Sequence, residues 1–276
     1  MPPPDDDPLE GKEAFLRARV RALGGALVAL SGGVDSALLA KVCAEELGKS
    51  ALAVTGVSEA VPDEEVAGAE ALAEALGIRH EAVRTRELED PRYAANPADR
   101  CAFCKTELMG VLVPLALARG LPAILLGVNA DDLLDHRPGQ EAAGMRGARF
   151  PLAEAGLTKA EVRTLAKRLG LAVWDKPAQP CLSSRIPYGQ AVTAEKLSRI
   201  AAAEAFLRAE GFLDCRVRHH ERLASVEVPL EELPRLLEPG RRERVVSRLK
   251  ALGFLHVGMD LGGLKSGNLN AALGPA

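Results

Sequence analysis

The sequence predicts an α/β protein, a doubly wound parallel sheet followed by a smaller C-terminal α+β domain. Three observations carry this. Short apolar runs alternate with helical patterns through about residue 172. A glycine-rich turn, Leu30-Ser31-Gly32-Gly33-Val34-Asp35-Ser36, joins the first of those runs to a helix. After Lys176 the alternation stops, and the order becomes α-β-β-α-β.

The elements follow in order. Residues 1–10 read as a frayed tail and 13–23 as a helix. Residues 26–30 form a strand, 36–47 a helix and 51–57 a short buried strand. The Ala/Glu/Leu stretch 61–76 is helical and closes at Gly77, and 78–83 is the next strand. A polar turn at 96–99 precedes a helix over 103–119, and 123–128 is a strand. Thr158 caps a helix over 159–169 with Glu161 as its capping-box partner, and Gly170 ends it. Pro177 and Pro180 break any regular helix there. The expected domains are therefore 1–176, binding a nucleotide, and 177–276, binding substrate. In the second, 193–209 is a helix, 214–219 and 223–228 are strands around a turn at 220–222, 230–237 and 241–252 are helical, and 254–261 is a strand. Residues 262–276 carry no clear signal.

Composition excludes several classes. The chain has 276 residues, 47 % hydrophobic, enough for a core built mostly from Leu, Val, Ala and Ile. A net charge of −3 gives no electrostatic footprint for nucleic acid. One Trp, two Tyr and six Phe are too few for a base-stacking platform. No apolar run reads as long enough to cross a bilayer, and the acidic N-terminus lacks a signal-peptide core, so the expectation is a cytoplasmic protein. Five unevenly spaced cysteines do not form a secreted disulfide framework.

The turn at 31–36 has the chemistry of a phosphate cradle. Two glycines let the backbone approach an anion closely, and the N–H groups at a helix start hold negative charge. Ser31, Gly32, Gly33 and Ser36 are the expected phosphate ligands. The Gly-Lys-Ser/Thr ending of a Walker loop is missing, as is any G-x-G-x-x-G. A cradle of amides and hydroxyls suits holding pyrophosphate as a leaving group, and Ser-Gly-Gly-x-Asp-Ser resembles the signature of the PP-loop ATP pyrophosphatases. Asp35 either orients the loop and meets Mg²⁺ or caps the helix. Asn129 and Asp132 follow a strand at the same carboxyl edge of the sheet, where ligands of such folds sit. They either meet nucleotide and metal or form an Asx turn. Arg137 and Arg163 read as phosphate contacts or solvated charges.

Cys101-Ala102-Phe103-Cys104 lies at a helix start, where the dipole favours thiolate. With Cys181 it gives three ligands for a [4Fe–4S] cluster with one open iron, while a redox pair, another metal and incidental cysteines remain open. Cys43 and Cys215 fall in apolar patterns and read as packing. In the second domain Arg216 and Arg218 share a strand face, with Glu204 and Glu227 nearby. They suit an anionic substrate and Mg²⁺, or structural ion pairs. His219-His220-Glu221 reads as a solvated hairpin turn.

Five segments in this order identify a resemblance: Ser31–Ser36, Asp99–Lys105, Gly127–Asp132, Phe150–Lys159 and Pro180–Gly189. From about Phe15 to about Leu261 the chain resembles the LarE family of ATP-dependent sulfur insertases. The PP-loop is only class-specific, whereas the Cys181 segment is much more specific. The resemblance implies ATP and Mg²⁺ as cofactors and pyridinium-3,5-biscarboxylic acid mononucleotide as substrate. That substrate is adenylated and converted to thiocarboxylates for a nickel-pincer cofactor of the kind used by lactate racemase. In one branch a single cysteine at the Cys181 position gives up its sulfur. In the other three cysteines hold a [4Fe–4S] cluster carrying an extra sulfide, and cysteines at 101, 104 and 181 resemble that branch. Ser184 and Arg185 flank Cys181 and are expected to position substrate. Sulfide or a sulfur donor is the implied partner, and hexamers are implied by the family. The rival functions are a tRNA thiolase of the PP-loop class, an ammonia-using synthetase and a nucleotide-binding regulatory module.

Overall fold

Ala26–Ala29, small and apolar, form β1, the centre of a five-stranded sheet of order β3-β2-β1-β4-β5 in which every pairing is parallel. The structure, a computed structural model, describes residues 8–133, 138–265 and 268. Residue contacts divide the chain into two compact units, one of Met1–Glu87 with Asp99–Gln179, the other of Leu88–Ala98 with Pro180–Ala276.

The first unit runs α1 (Pro8–Arg21), β1, α2 (Val34–Leu47), β2 (Ala51–Val57), α3 (Asp63–Leu76) and β3 (Arg79–Arg84). The chain then contributes the short helix α4 (Pro91–Ala94) to the second unit. It returns as α5 (Arg100–Ala118), β4 (Ile124–Leu126), α6 (Pro138–Gly144), β5 (Ala148–Arg149), α7 (Pro151–Glu154) and α8 (Lys159–Arg168). Side chains alternate across the strands. Ala26, Val28, Ala51 and Ala53 join a core with α1, α2, α3 and α8, while Leu27, Leu52, Val54, Ile124 and Leu126 meet Met109, Leu112 and Ala116 of α5 and Ala143 of α6. Helices thus cover both faces, the doubly wound arrangement expected.

Some boundaries differ from expectation. α1 starts at Pro8, inside the expected tail, because proline at the first helical position loses no hydrogen bond. α5 starts at Arg100, so Cys101 and Cys104 both lie in its first turns. α4, α6, β5 and α7 went unpredicted. Each is two to seven residues long, too short for a periodic pattern. The expectation that no apolar run could span a bilayer also needs correction. By length and composition α5 could, with a mean hydropathy of 1.6, although its Met109, Leu112 and Ala116 are buried against the sheet.

The second unit holds α9 (Ala194–Ala209), β6 (Arg216–His220), β7 (Leu223–Glu227), α10 (Leu233–Leu236), α11 (Pro239–Ala251) and β8 (His256–Met259). β6 and β7 are antiparallel and β8 joins β7 in parallel. Leu207, Phe212, Cys215, Val217, Val226, Leu249 and Phe254 form its separate core. His219 belongs to that core. It is 1 % exposed, stacked 5.2 Å from Phe254, and neither ring nitrogen has a hydrogen-bond partner. The solvated turn expected there is displaced by one residue, to Glu221 with φ 53°, because pairing carries β6 through His220.

Candidate functional site

The loop after β1 is shaped by Gly32, whose φ of 76° a side chain would strain. Ser31 and Ser36 close it. The Ser31 N–H donates to Ser36 Oγ at 3.2 Å, the two hydroxyls lie 3.1 Å apart, and Ser36 Oγ donates to the Gly33 carbonyl at 3.0 Å. The first helical bond of α2 runs from Ala37 N–H to that same carbonyl at 2.9 Å. The N–H groups of Val34, Asp35 and Ser36 therefore have no partner within the helix, the arrangement that binds anions at a helix start.

Asp35 is not the cap, since Gly33 occupies that position. Its carboxylate accepts Asn129 Nδ2 at 3.0 Å and the Lys159 ammonium. Asn129, 2 % exposed, also exchanges hydrogen bonds with Asp132, each backbone N–H reaching the other's side chain at 3.1 Å. The pair thus forms a reciprocal side-chain-to-backbone turn, close to the structural reading of these residues, and that turn aims Asn129 at Asp35. Gly127 makes this possible. A Cβ there would stand 2.6 Å from the Ser36 nitrogen and 2.8 Å from the Asp35 carbonyl carbon, so only glycine lets the end of β4 touch the start of α2.

Two lysines that the sequence reading overlooked border the loop. Lys159 opens α8 behind Thr158, whose hydroxyl forms the expected capping box with Glu161. Lys176 donates to the Gly32 carbonyl at 3.2 Å and to Glu65 at 2.8 Å. Arg163 donates to the carbonyls of Trp174 and Lys176 at 2.9 Å each and braces that segment rather than standing as a solvated charge. Arg137 lies outside the described residues.

In the second unit Cys181 is half-buried ahead of a 3₁₀ turn, Leu182–Arg185. Arg185, 1 % exposed, grips both oxygens of Glu204 at 2.8 and 3.0 Å and donates to the Pro180 carbonyl at 2.6 Å and to Ser184 Oγ at 3.0 Å. Glu204 also accepts the Val217 N–H at 2.9 Å. Arg218 grips both oxygens of Glu227 at 2.9 Å and donates to the Ser184 carbonyl at 2.6 Å. Both acids expected as Mg²⁺ ligands thus engage guanidinium groups, the ion-pair alternative. Among the described residues Arg216, 6 % exposed, reaches the Lys265 carbonyl at 3.2 Å and forms no ion pair. Burial first, then the charges of Arg185 and Arg218, push its pKa below the ordinary value. Glu227 and Asp214 act in the other direction without forming an ion pair with it among the described residues, so this buried guanidinium suits an anionic partner.

The cysteines separate by environment. Burial pushes the thiols of Cys43 and Cys215 up to about 12, so both are packing residues. Cys101 is exposed and Cys104 half-buried on adjacent turns of α5, in the first unit, whereas Cys181 belongs to the second. Within either unit the described residues gather no three His, Cys, Asp or Glu side chains placed for a metal ion. A segment of the second unit that sequence reasoning left unused secures the Cys181 loop. Tyr93 OH lies 2.6 Å from Ser183 Oγ, and Asn96, fully buried with φ 58°, donates Nδ2 to the carbonyls of Pro187 at 2.8 Å and Gln190 at 3.0 Å.

Residues 9–95 match the NAD synthase family model. Over 265 residues, 96 % of this chain and 99 % of the relative, the sequence is 49 % identical to an uncharacterised protein of Synechocystis. Over 266 residues, 96 % of each chain, it is 38 % identical to the pyridinium-3,5-bisthiocarboxylic acid mononucleotide synthase of Lactiplantibacillus plantarum. An uncharacterised protein of Methanocaldococcus jannaschii is 24 % identical over 252 residues, 91 % of this chain and 92 % of the relative.

Proposed function

The chain belongs to the LarE family of pyridinium-3,5-bisthiocarboxylic acid mononucleotide synthases, and from that premise we propose that it is an ATP-dependent sulfur insertase acting on the carboxylates of pyridinium-3,5-biscarboxylic acid mononucleotide. The observation that carries the first half is the lysine-free loop with free amides at the start of α2. Ser31, Gly32, Gly33 and Ser36 hold the pyrophosphate end of ATP, and Asp35, steadied by Asn129, faces Mg²⁺. A substrate carboxylate oxygen attacks the α-phosphorus, the bond to the β-phosphate breaks, and pyrophosphate leaves. AMP then replaces oxide as the leaving group of an acyl carbon. A sulfur nucleophile attacks that carbon and expels AMP.

In the second unit Arg216, in no ion pair among the described residues, takes a substrate phosphate or carboxylate, and Arg218 and Arg185 shape the wall around it. Glu204 and Glu227 fix those arginines and would meet Mg²⁺ only by releasing them. Ser184, anchored on both, positions substrate beside Cys181. Three thiols outside the cores and outside any disulfide, Cys101, Cys104 and Cys181, fit the donor set of a [4Fe–4S] cluster. Such a group would supply sulfide sulfur. Assembly as a homo-oligomer belongs to the same proposal.

The test is anaerobic turnover with MgATP and the biscarboxylic mononucleotide, following pyrophosphate and product mass. Cys181→Ala is expected to retain substrate-dependent pyrophosphate release and to lose thiocarboxylate formation. Pyrophosphate release without substrate dependence, or sulfur transfer by the variant, refutes the assignment. An iron-free protein that becomes lighter by one H₂S per turnover replaces the cluster with the sacrificial-cysteine route.

A further inference from the structure

Activating a carboxylate and giving it sulfur are separable steps. If water reaches the acyl adenylate first, carboxylate and AMP return, with the ATP cleaved and no sulfur gained. We propose that Tyr93 and Asn96 are positioning residues for the second step: they clamp residues 183–192, fix the direction from which Cys181 presents sulfur, and so couple ATP cleavage to sulfur transfer. This deepens the reading of the chain as a sulfur insertase and rests on it.

The clamp is concentrated in a few buried residues. Tyr93 OH, in α4, lies 2.6 Å from Ser183 Oγ, and both side chains are buried. The Val192 N–H donates to the Ala94 carbonyl at 2.8 Å, and the Gly189 N–H to the Asn96 carbonyl at 2.9 Å. Asn96 Nδ2 has two hydrogens and reaches three carbonyls, Ile186 at 3.2 Å, Pro187 at 2.8 Å and Gln190 at 3.0 Å. Among the described residues only Asn96 and Glu221 combine a side chain with a positive φ, and Glu221 is in an exposed hairpin turn. Asn96 keeps its φ of 58° while fully buried. Such a left-handed residue is retained for what its amide does.

The clamp acts on the thiol through the backbone. Ser183 lies within the 3₁₀ turn Leu182–Arg185, which the Ser184 N–H closes onto the Cys181 carbonyl at 2.9 Å. Tyr93 therefore holds the turn two residues from Cys181, and Asn96 holds its exit. Among the described residues no hydrogen bond holds the Cys181 thiol itself, so its direction is inherited from that turn. A displacement of about 1 Å at a reacting group costs as much as about 10²-fold in rate. Arg185 anchors the same turn to Glu204, but by the proposed function it also borders substrate. Tyr93 and Asn96, buried behind the loop's backbone, act on geometry alone.

Anaerobic turnover of the full-length protein, scored as thiocarboxylate formed per pyrophosphate released, separates these roles. Asn96→Gly keeps the left-handed backbone and deletes the amide. It is expected to leave substrate-dependent pyrophosphate release within about twofold and to lower the ratio by about 10–10²-fold, with carboxylate and AMP recovered instead. Tyr93→Phe, which loses only the hydroxyl, should shift the ratio the same way by less, and it decides the matter if Asn96→Gly does not fold. Amide hydrogen exchange in both variants should quicken across residues 181–192 and stay unchanged in β6 and β7. An unchanged ratio in the folded variants overturns the inference. So does an equal fall of both activities with exchange rising throughout the second unit, which makes the clamp a support of the fold only. Wild-type protein that releases pyrophosphate and forms no thiocarboxylate refutes the sulfur-insertase reading itself, a result distinct from variants that couple as well as wild type.

Discussion

Arg216 and His219 lie on opposite faces of β6, both buried and neither in an ion pair among the described residues. The arginine's isolation suits a ligand, whereas the histidine's only costs stability. Burial first, then Lys196 and Arg199, hold the His219 imidazole below its ordinary pKa of about 6.5, with Glu221 opposing weakly. The unfolded chain therefore takes up this proton before the folded one. The group contributes no penalty above about pH 6.5, and stability falls as pH drops below that value. His80, shifted the same way by burial, adds to the slope. His219→Leu removes two unpartnered nitrogens and is expected to raise stability at pH 7 by about 1 kcal/mol. Urea melts at pH 5 and 7 should show a shallower pH dependence in the variant; an unchanged slope refutes the account. The residues most legible in the sequence were those of the loop, because their chemistry is local. Glu204 and Glu227 were found as candidates, but their partners were not, since Arg185 and Arg218 reach them only through the fold.

At the scale of elements, the site depends on how closely β4 meets α2. Gly127 sets that approach, and backbone atoms of Asp35 and Ser36 leave no room for a methyl group. Gly127→Ala must push the helix start away from Asn129. We expect nucleotide affinity to fall at least about tenfold and stability by about 1–3 kcal/mol, the usual range for an overpacked core. Calorimetry with MgATP and a denaturant melt check this, and wild-type affinity in the variant would contradict it. Sequence periodicity placed the strand, the turn and the helix within a few residues, because each is encoded by its own neighbours. Their contact joins positions some 90 residues apart, and no local pattern carries it. The same limit hid α4, despite the Asp90-Pro91 start that its capping later explains.

At the scale of the molecule, the hydrophobic clusters of the first unit share no residue with the core of the second, and the two units are expected to melt separately. MgATP should raise only the transition of the unit carrying the loop, by RT ln(1 + [L]/Kd). Calorimetric scans with and without MgATP decide it, and a single transition shifted as a whole would show one cooperative block. The alternation of strand and helix made the first unit readable from sequence. The composition of the second was only partly so, because Leu88–Ala98 precedes the rest of it by more than 80 residues.

That early segment has a consequence for biosynthesis. Tyr93 and Asn96 leave the ribosome long before Ser183, Pro187 and Gln190, the groups that satisfy them, have been made. In a nascent chain these hydrogen bonds to residues 183, 187 and 190 must wait while the intervening sequence is made, and at 5–20 residues per second this wait lasts roughly 5–20 s. The loop bearing Cys181 is therefore among the last parts of the polypeptide to acquire its final shape, so the thiol is ordered only after the ATP-binding half can already be folded.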